Sequence, residues 1–514
     1  MELWLLLILL GLFTYFIVKR SVTGITRTPI WILWLVMMTP ALIWTGWVLV
    51  NGEKTPMPIV LAIAPFAICP IVYWLLVESG RPKNKDPNAP QNEPVVSDSQ
   101  NKNSAGTETN PLAGEQSTVR PISQAEETSL RKCFPWSIYY LEDIEYRPQT
   151  VLIRGKLRTN PEEAYKTIQE NVQGLFGDRF FVLFQESLTG KPFFALVPNP
   201  HRLTSDATAK TETVTRPVVA LGLLCVTLFT STLIGASIAA DKPIPSSQVL
   251  SNANLLITGL PFAISLIAIL GIHEFARYLC AVFYKIRTTL PYFLPVPFFP
   301  GTFGAFMQMR SPVPHRKALF DIAIVASVAG FAIAIPILLW GLAHSDVVKL
   351  SDKSAIFNFQ SLNPRFSLLL TLLSKLALGS QFAPNYGINL HPVAVAGCIG
   401  LVWTAFKLMP IGRLDGGHIV HAMFGQRTGA GIGQVVQLLL LALCLINSFV
   451  NKQSDSLLWF ITIFFLFMPI VDEPALNDVS ELDNRRDFCG LAILALLVSI
   501  VLPAPAILTT LLHI

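Results

Sequence analysis

The chain has 514 residues, of which 52% are hydrophobic and only 14% charged, with a formal net charge of +5. Soluble domains carry about 25% charged residues, so this composition argues against a soluble protein and for one that meets lipid. The small positive excess collects in particular loops, which favours a topology signal and no nucleic-acid surface.

Apolar runs of bilayer-spanning length begin at 2–18, 31–50 and 58–77. The first follows Met1-Glu2-Leu3-Trp4 with no basic leader, and Lys19-Arg20 comes after it, so it reads as a signal anchor with its N-terminus outside. Residues 1–78 form a first unit of three transmembrane helices. Residues 79–130 hold no aromatic residue and are rich in Pro, Asn, Ser, Gln and Glu. Such a stretch buries too little apolar surface to offset its ordering entropy, and it reads as a disordered linker.

Residues 131–202 change character. Thr150–Ile153 reads as a strand, and Pro161 opens a helix with Ala164, Ile168, Val172 and Leu175 at helical spacing. Phe180–Phe184 and Phe193–Val197 flank a turn at Gly190 in a hairpin pattern. This predicts a small α+β cytoplasmic domain with no metal, phosphate or catalytic signature, hence a docking or regulatory module.

The remainder, 216–514, is a membrane domain with runs near 217–238, 255–283, 318–342, 391–411, 432–450, 457–471 and 488–513. The fold expected is a polytopic α-helical membrane protein with about ten transmembrane helices and one small α+β cytoplasmic domain. A short run at 366–379 carries Lys375 and is expected not to cross. The basic clusters at Lys19 and Arg20, Arg81 to Lys85, Lys285 to Lys317, Arg413 and Arg427, and Arg485 and Arg486 then all face the cytoplasm. Seven cysteines show no CxxC pairing and read as small core residues without disulfide or structural zinc.

Ionisable groups inside a span are costly and mark function by default. The fifth span holds His273-Glu274-Phe275-Ala276-Arg277, the first half of the HExxH pattern in which two histidines four apart ligate zinc and the glutamate activates water. Position 277 is arginine, whose guanidinium stays protonated and offers no lone pair to a metal. The alternative is structural: Arg277 pairs with Glu274 three residues earlier or with a carboxylate on another span. A second constellation, Leu414-Asp415-Gly416-Gly417-His418, ends an apolar run and reads either as a plain turn or as a metal carboxylate beside His273. His315, His391, His418 and His421 are weighed as substitute ligands, and none is convincing.

These two motifs resemble the signatures of the site-2 protease family, the M50 intramembrane zinc metalloproteases. Pro291–Pro295, Gly301–Ala305, Leu319–Ile322 and Asp472–Ala475 further resemble its cyanobacterial and plastid branch, which includes the ethylene-dependent gravitropism-deficient and yellow-green proteins. The resemblance covers roughly 133–513. It implies His273 and Asp415 as zinc ligands, Glu274 as the catalytic base, and a membrane-embedded loop in which Gly301, Thr302, Phe303 and Gly304 receive a substrate strand. It also implies zinc as cofactor, transmembrane protein substrates or clients and the lipid bilayer as partners, and a plasma or thylakoid membrane of a cyanobacterium-like source. The family's second histidine is replaced by Arg277. Two readings therefore stand: a peptidase of transmembrane substrates, or a catalytically silent relative that binds or protects membrane proteins.

Overall fold

The computed structural model describes residues 29–51 and scattered positions among 11–79, then 122–147, 150–187, 190–199, 216–240, 253–296, 299–349, 359–382, 386–449 and 456–511. The chain divides into two compact units, Met1–Leu112 and Ala113–Ile514. In the first, helix α1 (Ile30–Asn51) buries Leu33 against Ile30, Tyr73 and Leu76. Most of the runs expected at 2–18 and 58–77, and residues 81–121 of the expected linker, lie outside the described residues.

The second unit opens with a helix inside the stretch read as linker, α2 (Gln124–Lys132). A capping box starts it, in which Ser123 and Glu126 satisfy each other's backbone amides. Ile122 and Leu130 bury against the small domain, so this segment has the apolar surface that the composition of the whole stretch obscures.

The α+β domain follows. Its elements are β1 (Tyr139–Arg147), β2 (Thr150–Leu157), α3 (Pro161–Phe176), β3 (Phe180–Glu186) and β4 (Pro192–Pro198), with sheet order β1-β2-β4-β3. Asn160 caps α3 and Pro161 sits in its first turn, where a missing N–H costs nothing. Ala164, Ile168, Val172 and Phe176 bury against the sheet, and Phe184 stacks on Phe194 with ring centroids 4.2 Å apart. Strand β1 escapes a periodicity reading, because Glu142, Asp143 and Glu145 interrupt it and its register slips between Leu141 and Asp143.

The membrane domain comprises α4 (Pro217–Ala239), α5 (Ala253–Phe283), the hairpin β5 (Tyr292–Pro295) and β6 (Thr302–Phe306), and α6 (Arg316–Ala343). A small ribbon, β7 (Asp346–Lys349) with β8 (Tyr386–Asn389), brackets the short helix α7 (Leu368–Leu378). Then come α8 (Pro392–Leu408), α9 (Asp415–Phe424), α10 (Gln426–Phe449), α11 (Ser456–Leu466), α12 (Asn484–Val501) and α13 (Ala506–Leu511). Among the described residues, five helices are long and apolar enough to cross a membrane: the segments Ile30–Trp47, Pro217–Ala239, Leu256–Phe283, Arg316–Ala343 and Gln426–Ser448. The runs expected as spans at 457–471 and 488–513 form shorter helices, the latter broken after Val501 where Pro503 and Pro505 stop propagation. Helix α7 has 11 residues, about 16 Å at 1.5 Å per residue, well short of a hydrocarbon core.

Two close approaches set the frame of the site. Helices α4 and α5 touch at Gly235 and Gly259, where a Cβ on either would strike the other helix's backbone. Segment 476–478 lies as a short strand between β3 and the entry to α6. The Phe184 amide donates to Leu476 O (2.7 Å), and the Asp478 amide to Phe184 O (2.9 Å). On the other side the Leu476 amide donates to Val313 O (2.9 Å) and the Asn477 amide to Pro314 O (3.0 Å). Val479 joins the α+β domain's own core.

Candidate metal centre

The site forms where α5, α6, α8 and the turn before α9 converge. His273 sits on α5 under Gly330 of α6; a Cβ at 330 would lie 2.9 Å from the imidazole Cδ2, so only glycine lets the helices close over the ring. The turn from α8 into α9 doubles back so tightly that a Cβ at Gly416 would meet Leu408 O and one at Gly417 would meet Gly412 O. Gly412 adds a φ of +50°. The Asp-Gly-Gly motif thus brings a carboxylate against α5 by letting backbone approach backbone.

Of the residues expected in the centre, His273, Glu274, Arg277 and Asp415 come together. His273 is 2%, Glu274 1% and Asp415 0% exposed. The imidazole Nε2 faces Asp415 Oδ2 at 3.2 Å, and its Nδ1 faces Glu274 Oε1 at 3.3 Å. Neither approach is a hydrogen bond: both ring nitrogens, Asp415 Oδ2 and Glu274 Oε2 are buried without a hydrogen-bond partner. Arg277 donates from Nη2 to the other oxygen of Asp415, Oδ1, and its Nε lies 3.8 Å from Glu274 Oε2.

A fifth member, Lys407 at the end of α8, was not anticipated. Its Nζ donates to Glu274 Oε1 at 3.2 Å and lies over the rings of Phe306 (5.4 Å) and Trp403 (5.7 Å). In sequence it looks like the terminal cation of an apolar run, of the kind that snorkels to the interface. Its only signal was a lysine spaced eight residues before Asp415.

An imidazole nitrogen and a carboxylate oxygen 3.2 Å apart could both hold one zinc at about 2.0–2.1 Å. A catalytic zinc takes three protein ligands and keeps one open position. Here the third position, one helical turn from His273, carries a guanidinium already committed to Asp415. The two carboxylates Glu274 and Asp415 already face two cations, Arg277 and Lys407, so a dication would add unbalanced charge in a low-dielectric interior. The residues present fit half of a zinc site and do not fit a catalytic one.

The histidines weighed as substitutes are committed elsewhere. His315 accepts from the Ala318 amide at the start of α6, and His391 from the Val393 amide at the start of α8. His418 and His421 on α9 both bind Asp472 Oδ2, at 2.7 and 2.9 Å, and His421 Nε2 reaches Asp478 Oδ1 at 2.9 Å. Burial works against a charged His421, yet the hydrogen bonds to Asp472 and Asp478 raise its pKa to about 9. Burial alone would raise the Asp472 carboxyl; His418 and His421 hold it well below the usual carboxylate range.

The four residues expected to receive a substrate strand, Gly301, Thr302, Phe303 and Gly304, lie in or just before β6 beside this cluster. Gly301 and Gly304 have φ of +93° and +97°. Their missing side chains leave room for Ser231 of α4 and the indole of Trp403, so both glycines serve packing within the chain. The Thr302 hydroxyl bonds Leu294 O (3.0 Å) across the hairpin, while Phe303 and Phe306 are exposed. Strands β5 and β6 form a two-stranded antiparallel sheet.

Residues 261–447 match the model of peptidase family M50, and residues 128–204 match the EGY3 middle domain. The chain is 29% identical over 376 residues to "Probable zinc metalloprotease EGY2, chloroplastic" of Oryza sativa subsp. indica, covering 72% of this chain and 65% of that one. It is 30% identical over 242 residues to the protein named EGY1 of Arabidopsis thaliana, covering 47% and 42%. To "Probable zinc metallopeptidase EGY3, chloroplastic" of Arabidopsis thaliana it is 25% identical over 337 residues, covering 62% and 57%. The chain thus spans less than two thirds of the length of these curated relatives. No solved structure matches it.

Proposed function

We propose that this chain, whose residues 261–447 match the model of peptidase family M50, is a site-2-protease-type membrane protein whose zinc centre is replaced by an ion-pair cluster. On this reading it binds extended segments of other membrane proteins and does not cut them. The carrying observation is the Arg277 guanidinium on Asp415 Oδ1, beside Glu274 paired with Lys407. An arginine in place of the second imidazole supplies charge balance where the family needs a lone pair. The client surface on this reading is the β5–β6 hairpin, whose exposed Phe303 and Phe306 offer apolar contact to an extended segment. The shorter apolar helices, α8, α11 and α12, complete the bundle toward ten spans on this reading. The relatives' chloroplastic names favour a thylakoid-type membrane over a plasma membrane.

A second reading keeps the peptidase. It rests on the unpartnered His273 Nε2 and Asp415 Oδ2, which lack only one ligand and would gain it from a bound partner.

Metal analysis separates the two. Purified wild-type protein is expected to hold well under one zinc per chain. Arg277→His places an imidazole one turn from His273 on the same helix face and removes the cation, so bound zinc should rise toward one per chain. Asp415→Ala in the Arg277→His background should abolish that gain. Stoichiometric zinc in wild-type protein, lost in His273→Ala, would establish the peptidase reading instead.

A further inference from the structure

We propose that the ribbon between α5 and α6 carries a binding site for an anionic lipid headgroup, a phosphatidylglycerol-type phosphate, formed by Lys285, Arg287 and Arg310. The inference is independent of whether the M50 centre cuts or only binds. The apolar helix α5 ends at Phe283, a residue 79% exposed at the end of the span. Two residues on, Lys285 takes a φ of +58°, the single positive value outside glycine among the described residues. Its amide donates to Val282 O (2.9 Å), and the Ile286 amide to Ala281 O (3.0 Å), closing the helix. That position ordinarily favours glycine, so a lysine there accepts backbone strain in exchange for a cation at the edge of the bilayer.

The chain then runs into a narrow antiparallel ribbon. Thr288 bridges Met309, the Thr289 amide donates to Gln308 O (3.0 Å), and the Arg310 amide donates to Arg287 O (2.8 Å). Arg287 and Arg310 are therefore directly opposite, and their side chains leave the same face of the ribbon. Like charges in opposed positions destabilise a ribbon unless an anion lies between them. No protein carboxylate fills that role: among the described residues none pairs with Lys285, Arg287 or Arg310, and all three are exposed. The acid beside Tyr284, Asp321, is taken by the tyrosine hydroxyl (2.5 Å) and by two nitrogens of Arg486 (2.8 Å each). Elsewhere in the unit cations find acids, as Arg316 does on Asp478 and Lys317 on Glu162.

The missing anion is most simply a lipid phosphate. The three cations begin two residues past the end of an apolar span, at headgroup depth, and two guanidinium groups suit the oxygens of one phosphate. The exposed Phe283 beside them would lie along the acyl chain of the same lipid.

The test is to reconstitute the full chain in nanodiscs of mixed phosphatidylcholine and phosphatidylglycerol and to count retained lipids by native mass spectrometry. Wild-type protein should retain phosphatidylglycerol selectively. The double variant Arg287→Gln/Arg310→Gln should bind it about thirtyfold more weakly, while Arg287→Lys/Arg310→Lys keeps the selectivity. Equal retention by the glutamine variant, loss in the lysine variant, or displacement of the lipid by inorganic phosphate would each overturn the proposal.

Discussion

Glu274 is held by two cations from different helices, Arg277 one turn along α5 and Lys407 from α8. Removing either leaves a buried carboxylate under-compensated, which costs far more than the pair contributes relative to an apolar pair. Lys407→Met is therefore expected to lower unfolding stability by about 3 kcal/mol, seen as a fall in the thermal midpoint in detergent. A variant as stable as wild type would show that Arg277 alone balances Glu274. At this scale the sequence disclosed the two motifs but only part of their meaning. Each motif alone was ambiguous, and His273 and Asp415 were legible as partners only through the resemblance to the protease signatures; the structure sets them 3.2 Å apart. The role of Lys407 was not, since only the packing of α8 against α5 turns that cation inward. The pairing of Arg277 with Asp415, 138 residues away, likewise depends on tertiary structure.

At the scale of elements, the hairpin β5–β6 depends on two glycines that are conformationally obliged. A Cβ on Gly301 would come 2.6 Å from Ser231 Cα, against backbone that cannot swing aside, and its φ of +93° strains any other residue. Thr230 also donates its hydroxyl to Gly301 O (2.8 Å), tying the hairpin to α4. Gly301→Ala should cost about 2 kcal/mol or more and speed hydrogen exchange across Tyr292–Phe306. Gly174→Ala, in open space on α3, should leave that exchange unchanged and serves as the control. Unaltered protection in Gly301→Ala would mean that the hairpin is not held by α4. Helices were the most legible elements, because their apolar runs or caps are continuous. Strand β1 and helix α2 were not, since one hides its alternation among acids and the other shares a stretch whose average composition is polar.

At the scale of the molecule, the segment 472–480 ties the α+β domain to the helix that follows Asp415. Its Asp472 and Asp478 hold His421, with His418 on Asp472 and Arg316 on Asp478 as the other charged or titratable neighbours. The folded chain favours charged His421, with a pKa of about 9 against 6.5 for the free side chain. The stability it contributes is complete below about 6.5 and is lost as the pH rises through about 9. The thermal midpoint should fall on alkaline titration across that window, and His421→Gln should flatten the fall. A flat wild-type profile would mean that His421 is neutral in the folded chain.

The same segment has a consequence for how the protein is made. Strand β3 leaves the ribosome long before the residues that complete its outer edge, since Asn477 pairs with Phe184 across nearly 300 positions. At roughly 5–20 residues per second, the interval is at least about 15 s. Throughout it the newborn α+β domain presents an open strand edge, the kind of surface that pairs with any neighbouring chain. The candidate spans Pro217–Ala239, Leu256–Phe283, Arg316–Ala343 and Gln426–Ser448 are all synthesised before that edge closes. A stalled or truncated chain therefore ends with the outer edge of β3 still open to any extended segment it meets.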